Sequence, residues 1–166
     1  MAATDANQPA TPAVGVVTVL APLPGRSVPL AEVPDPVFAD AIVGPGVAID
    51  PHREGEVEVI APIGGTLVKV HPHAFVVADG SGHAVLVHLG IDTIQLAGDG
   101  FTVHVAEGAD LVAGQLVITW SPQAVVDGGR SPVCPVIALD TRAASLTERV
   151  ELGDVLDAGD PLFDWA

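Results

Sequence analysis

Four of the six histidines in this 166-residue chain fall between residues 71 and 92, in HPHAFVVADGSGHAVLVHLGID. Imidazole titrates near neutrality and serves as nucleophile, proton carrier or metal ligand, so histidines on aliphatic strands mark where chemistry is to be sought. Between the two apolar runs lies Asp79-Gly80-Ser81-Gly82, in which Gly80-Ser81 is a two-residue hairpin signal. Pairing Asp79 with Gly82 sets Ala78 against His83, Phe75 against Leu86 and His73 against His88; an odd-length loop would break this register. Directly opposed residues project from one face with Cβ atoms about 4.5 to 5.5 Å apart, so His73 and His88 converge. His83 falls on the other face and reads as a polar residue beside the turn.

Two neighbouring imidazoles offer two chemistries. One ring can take a phosphoryl group on a nitrogen while the other donates a hydrogen bond to its oxygens. Alternatively the pair can share a zinc ion, although no cysteine pair or tight His/Glu motif completes the usual ligand set, and His71 is poorly placed beside Pro72. After His88, Gly90 removes a Cβ where the chain leaves the sheet, and Asp92 is either an Asx-turn residue or a carboxylate that meets a partner's cation. A hydrolase is poorly supported, since no G-x-S-x-G elbow is present and Cys134 lies between Pro132 and Pro135 without a nearby histidine. A biotinyl or lipoyl carrier needs a lysine at a hairpin tip, and the single lysine, Lys69, sits within an alternating strand.

The elements that must position these residues are short. With 18 Gly and 15 Pro among β-branched runs, the chain reads as all-β with at most short helices. Strands are expected at 14–20, 46–50, 57–61, 66–70, in the two histidine runs, and at 116–120 and 135–139. One helix is expected at SPQAVVDGG, with Ser121 as cap, Pro122 in the first turn and Gly128 as stop. APLPGRSVPL at 21–30 echoes APIGGTLVKV at 61–70, and GADLVAGQLVITW at 108–120 echoes GDVLDAGDPLFDW at 153–165. The second pair keeps two glycines and a terminal tryptophan at equal spacing, which argues for a duplicated strand-turn-strand unit in an antiparallel β-sandwich or flattened barrel.

The length fits one domain, expected over 14–166 behind a disordered tail at 1–13, whose small polar residues and prolines support no packing. No apolar run reaches the roughly 18 residues that cross a bilayer, and the N-terminus lacks the basic start of a signal peptide. A net charge of −15 repels nucleic acid and anionic lipid and attracts a basic protein partner. Cys134, alone in the sequence, cannot form an internal disulfide, which suits a reducing cytoplasm.

HAFVVADGSGHAVLVHLGIDTIQLAGDGF, residues 73–101, resembles the active-site segment of glucose-type enzyme IIA of the bacterial phosphoenolpyruvate:sugar phosphotransferase system. The likeness extends over VLAPLPGRSVPLAEVPDPVFADAIVGPGVAID at 19–50, APIGGTL and EGADLVAGQLVITW. The resemblance implies an antiparallel β-sandwich and a cytoplasmic phosphocarrier. His88 would be phosphorylated on Nε2 by HPr and would pass the group to a cysteine of enzyme IIB, with His73 in support. Asp35 and Asp92 would receive an arginine of HPr, and Phe38, Ile42 and Val43 would form an apolar docking rim. No cofactor is required, although zinc at a partner interface and regulatory protein targets are compatible with the family. The family typically has threonine two residues before the supporting histidine, where this chain has His71, and it has no basic amphipathic tail for membrane contact. The reading from another class is a regulatory or zinc-binding module that uses His73 and His88 only as a docking or ligand site.

Overall fold

A computed structural model describes residues 16–166; the expected tail and the first residues of the strand expected from Val14 lie outside the described residues. Fourteen strands and two short helices follow in the order β1 (Val17–Leu20), β2 (Gly25–Val28), α1 (Pro36–Ala39), β3 (Gly46–Pro51), β4 (Val57–Ile60), β5 (Gly65–His71), β6 (Ala74–Ala78), β7 (Ala84–His88), β8 (Phe101–Val103), β9 (Asp110–Leu111), β10 (Leu116–Trp120), α2 (Pro122–Asp127), β11 (Cys134–Ala138), β12 (Leu146–Glu148), β13 (Val155–Leu156) and β14 (Pro161–Trp165). All strand pairs are antiparallel. One eight-stranded sheet, ordered β13-β2-β3-β11-β7-β6-β5-β9, faces two three-stranded sheets, β1-β14-β12 and β4-β10-β8. The fold is an all-β sandwich.

The large sheet is apolar on both faces near its centre. Its inner face sends Val47, Ile49, Phe75, Val77, Val85, Val87 and Val136 against Val19, Val59, Ile118, Trp120, Phe163 and Trp165 of the smaller sheets. Strand alternation turns Ala48, Leu86 and Ile137 outward, where Val33, Phe38, Ile91 and Val133 cover them as a second cluster. That outer cover comes from the long β2–β3 connection, in which the Asp35 carboxylate caps α1 by accepting from Val37 N–H at 3.0 Å and Pro36 occupies the first turn. The sequence reading had no element there. α2 forms as expected, with Ser121 Oγ accepting from Ala124 N–H and Gly128 at the end.

The duplication is borne out pair by pair. Moving β1, β2 forty residues along and β12–β14 forty-five residues back maps one strand network on the other. Val17 opposite Trp165 corresponds to Val57 opposite Trp120, and Gly25 opposite Leu156 corresponds to Gly65 opposite Leu111. Both first-strand pairs carry a register shift at the same end.

Candidate functional site

The hairpin of β6 and β7 carries the site, and its register differs by one residue from the sequence expectation. Ala78 lies opposite Ala84, Phe75 opposite Val87, and Ala74, not His73, opposite His88. The loop holds three residues, Gly80, Ser81 and Gly82, because both glycines take positive φ (83° and 100°) and Asp79 pairs with His83, its N–H donating to the His83 carbonyl. A one-residue slip normally sends side chains to opposite faces. Here it does not separate the imidazoles, because His73 is not in a strand. Pro72 and His73 form the two-residue turn between β5 and β6, with His71 opposite Ala74. The turn releases His73 from strand alternation and lays its ring edge-on to His88, with centroids 5.2 Å apart and planes at 72°. Pro72 was the overlooked signal, since proline favours the first central position of a turn and places the next residue at the second.

His88 is fixed from three sides. Its Nδ1 hydrogen-bonds the Gly90 carbonyl at 2.6 Å, which assigns the proton to Nδ1 and leaves the Nε2 lone pair free. Phe38, only 7% exposed, places its ring centroid 5.1 Å from the imidazole. The Leu89 N–H donates to the His73 carbonyl at 2.7 Å, tying the two histidine segments through the backbone. Gly90 holds φ at 79°, and a Cβ there would meet Thr93 Cγ2 at 2.7 Å and the Ser131 carbonyl at 3.0 Å. Thr93 is itself buried and donates its hydroxyl to the Leu89 carbonyl. The sequence reading gave Gly90 a steric role; its carbonyl as orienter of His88 was missed, because an acceptor present in every residue leaves no trace in the side-chain pattern.

Electrostatics favour neutral rings. Burial pushes His88 below its ordinary value, opposed by the Gly90 hydrogen bond and by the carboxylates of Asp35 and Asp92. His73 falls from 6.5 to about 4, first through burial and then through His88 and His71. Both are neutral at pH 7, so His88 Nε2 is available as a nucleophile.

The remaining expected residues differ in exposure. Asp35 and Asp92 both act on the His88 charge, and Asp92 stands exposed at φ 60°, its carbonyl accepting from Gln95 N–H while its carboxylate makes no cap bond to the following turn. Ile42 is 67% exposed, Val43 packs partly into the outer cluster, and Phe38 is buried against the histidine. Val37, in α1, and Ile94, in the turn after Asp92, are also exposed apolar side chains, neither of them singled out from sequence. His83 stands beside the turn on the face away from His88, as expected, and is buried there, hydrogen-bonded to Asp79 at 2.9 Å and edge-on to Trp165. Cys134 is fully buried with its thiol on the Pro132 carbonyl.

On an antiparallel sandwich, a histidine with one nitrogen locked and the other free thus stands beside a second neutral imidazole. Residues 17–144 match the family described as phosphoenolpyruvate-dependent sugar phosphotransferase system, EIIA 1, and the chain belongs to that family. Among solved structures, glucose permease IIA from Mycoplasma capricolum is 32% identical, with a TM-score of 0.79 over 90% of this chain and 95% of that one. The chain is therefore a glucose-type EIIA component of a sugar phosphotransferase system. No helix among the described residues is long and apolar enough to cross a membrane.

Proposed function

We propose that this chain, read as a single EIIA domain over residues 14–166, is a cytoplasmic phosphocarrier: it takes a phosphoryl group from phospho-HPr on His88 Nε2 and delivers it to a cysteine of enzyme IIB. The observation that carries the reading is the free Nε2 of His88, oriented by the Gly90 carbonyl and flanked by His73. As the new N–P bond forms, the donor's N–P bond breaks and the donor nitrogen keeps the electron pair. His88 retains its Nδ1 proton, so its ring becomes positive. The Gly90 carbonyl and the carboxylates of Asp35 and Asp92 lie where they stabilise that charge. His73 donates to the phosphoryl oxygens and carries no phosphate itself.

The same two carboxylates are available to an arginine of the incoming donor, with exposed Ile42 and half-buried Val43 supplying apolar contact. The net charge of −15 steers a basic docking face toward them. No metal takes part in this transfer; zinc bound by the histidine pair would need further ligands from a partner.

Incubation with phosphoenolpyruvate, enzyme I and HPr adds about 80 Da in an acid-labile, alkali-stable form, and His88→Ala abolishes the addition. His73→Ala still accepts the group but passes it on slowly. A His73→Ala protein that takes no phosphate, beside a His88→Ala protein that does, reverses the two roles. Wild type that never labels yet binds zinc tightly establishes the regulatory or zinc-binding module instead.

A further inference from the structure

His71, the last residue of β5, stands where the turn to β6 begins, and its ring stacks on that of His73 with centroids 5.7 Å apart and planes at 21°. Three imidazoles therefore lie in series, His71 on His73 and His73 edge-on to His88. The turn beneath them is braced. Gly98, at φ 89°, brings its backbone against the Pro72 ring, where a Cβ would lie 3.3 Å from Pro72 Cγ. Val70, adjacent to His71, donates its N–H to Glu107 Oε1 at 3.2 Å. His73 has a short side chain in a turn, with no hydrogen bond to its ring among the described residues, so ring contacts are what hold its orientation.

We propose that His71 is a positioning residue for phosphoryl transfer: its stacked ring holds His73 edge-on to His88, and so governs the reaction without touching the phosphoryl group. This rests on the phosphocarrier reading of His88. The groups that face the stack are His88 from β7, Asp35 and Asp92 beside His88, and Glu107 from the strand connection next to β5. Of these His88 acts on His73, as does His71 itself, and both oppose its protonation. A neutral His73 keeps one ring nitrogen as donor and the other free, the form suited to exchange hydrogen bonds as the phosphoryl group arrives and leaves.

The full chain carrying His71→Ala or His71→Phe separates the stack from mere surface structure. In His71→Ala the rate at which phosphorylated His88 hands its group to enzyme IIB falls about fivefold, the scale of one misplaced hydrogen bond, with acceptance from phospho-HPr unchanged. The His73 titration midpoint, followed by NMR, moves up. His71→Phe keeps a flat ring on His73 and restores the rate. Unaltered rate and midpoint in His71→Ala overturn the inference, as does a His71→Phe protein as slow as His71→Ala. Wild type that takes no phosphoryl group overturns the phosphocarrier reading and this inference with it, whereas wild type and His71→Ala that both label and hand the group on at equal rates overturn this inference alone.

Discussion

The two halves of the large sheet are built alike and used differently. β11 and β7 lie side by side at its centre, with Val136 opposite Val87. On one flank Ile137 lies opposite Gly46, and the Ala138 N–H donates to the Pro45 carbonyl; on the other His88 lies opposite Ala74, and the Leu89 N–H donates to the His73 carbonyl. His88 thus occupies the position of Ile137, and His73 that of Pro45. The connection before Gly46 is long and folds back over the outer face as α1, whereas the connection before Ala74 is the two-residue turn Pro72-His73. One half covers the sheet and the other leaves it open. The cover closes over Ile137, which is fully buried, and its Phe38 reaches across to the wall of the His88 pocket. Reactivity here is a matter of which copy of a shared scaffold keeps a polar residue at the uncovered edge of an apolar face.

That contrast is broken most strongly at Ile137. Ile137→Ala leaves a cavity in the outer cluster and lowers stability by about 3 kcal/mol, read as a shift of the urea midpoint. Phosphoryl acceptance per folded molecule stays near wild type, because the histidine half keeps its own supports. His88→Ala gives the reverse pattern, with acceptance lost and stability little changed. Equal losses of acceptance in both variants would mean the two halves are not separable.

Gly90→Ala comes next, at about 2 kcal/mol, since it forces a Cβ into Thr93 and the Ser131 carbonyl at a left-handed φ. Unlike Ile137→Ala it also slows acceptance per folded molecule, because relief of the clash moves the carbonyl that holds His88 Nδ1. An imidazole NMR spectrum showing His88 still locked in the Nδ1–H tautomer would refute that link.

Much of this arrangement was legible in residue types. Alternating β-branched runs and glycine spacing identified most strands, and the tryptophan-ended echoes marked the duplication later found as matched pairings of β10 and β14. The meeting of His73 and His88 was also anticipated, but for the wrong reason. Register in a hairpin depends on loop length, and Gly-Ser-Gly permits either two or three loop residues; the second positive φ at Gly82 decided for three. The error was cancelled by a second one, the placement of His73 in a strand when Pro72 puts it in a turn. What stayed invisible was carried by backbone: the Gly90 carbonyl, the His73 carbonyl, and the fold-back of residues 29–45 that makes Phe38 a neighbour of His88. A dipeptide such as Asp35-Pro36 signals a helix start, yet nothing in it says which strand the helix will cover.

The smallest expected effect is also particular to the histidine half. His73 titrates at about 4 in the fold against 6.5 ordinarily, and His88 is lowered as well. In the unfolded chain both rings take up protons as pH falls through 6.5, while in the fold both take them up at lower pH, His73 only near 4. The unfolded state then binds more protons, so this part of the stability is fully present above pH 6.5 and is lost progressively toward pH 4. Ile137 and Pro45 contribute nothing to it. His73→Ala therefore flattens the fall in stability between pH 6.5 and 4, measured as urea midpoints across that range. The Asp79 carboxyl gives no cover for a failure in this window. Burial raises it, the hydrogen bonds from Ser81 and His83 more than offset that, and its lowered pKa confines its effect to the region around and below its ordinary 3.8. An unchanged slope in His73→Ala would place the proton uptake elsewhere and remove the charge-based distinction between the two halves.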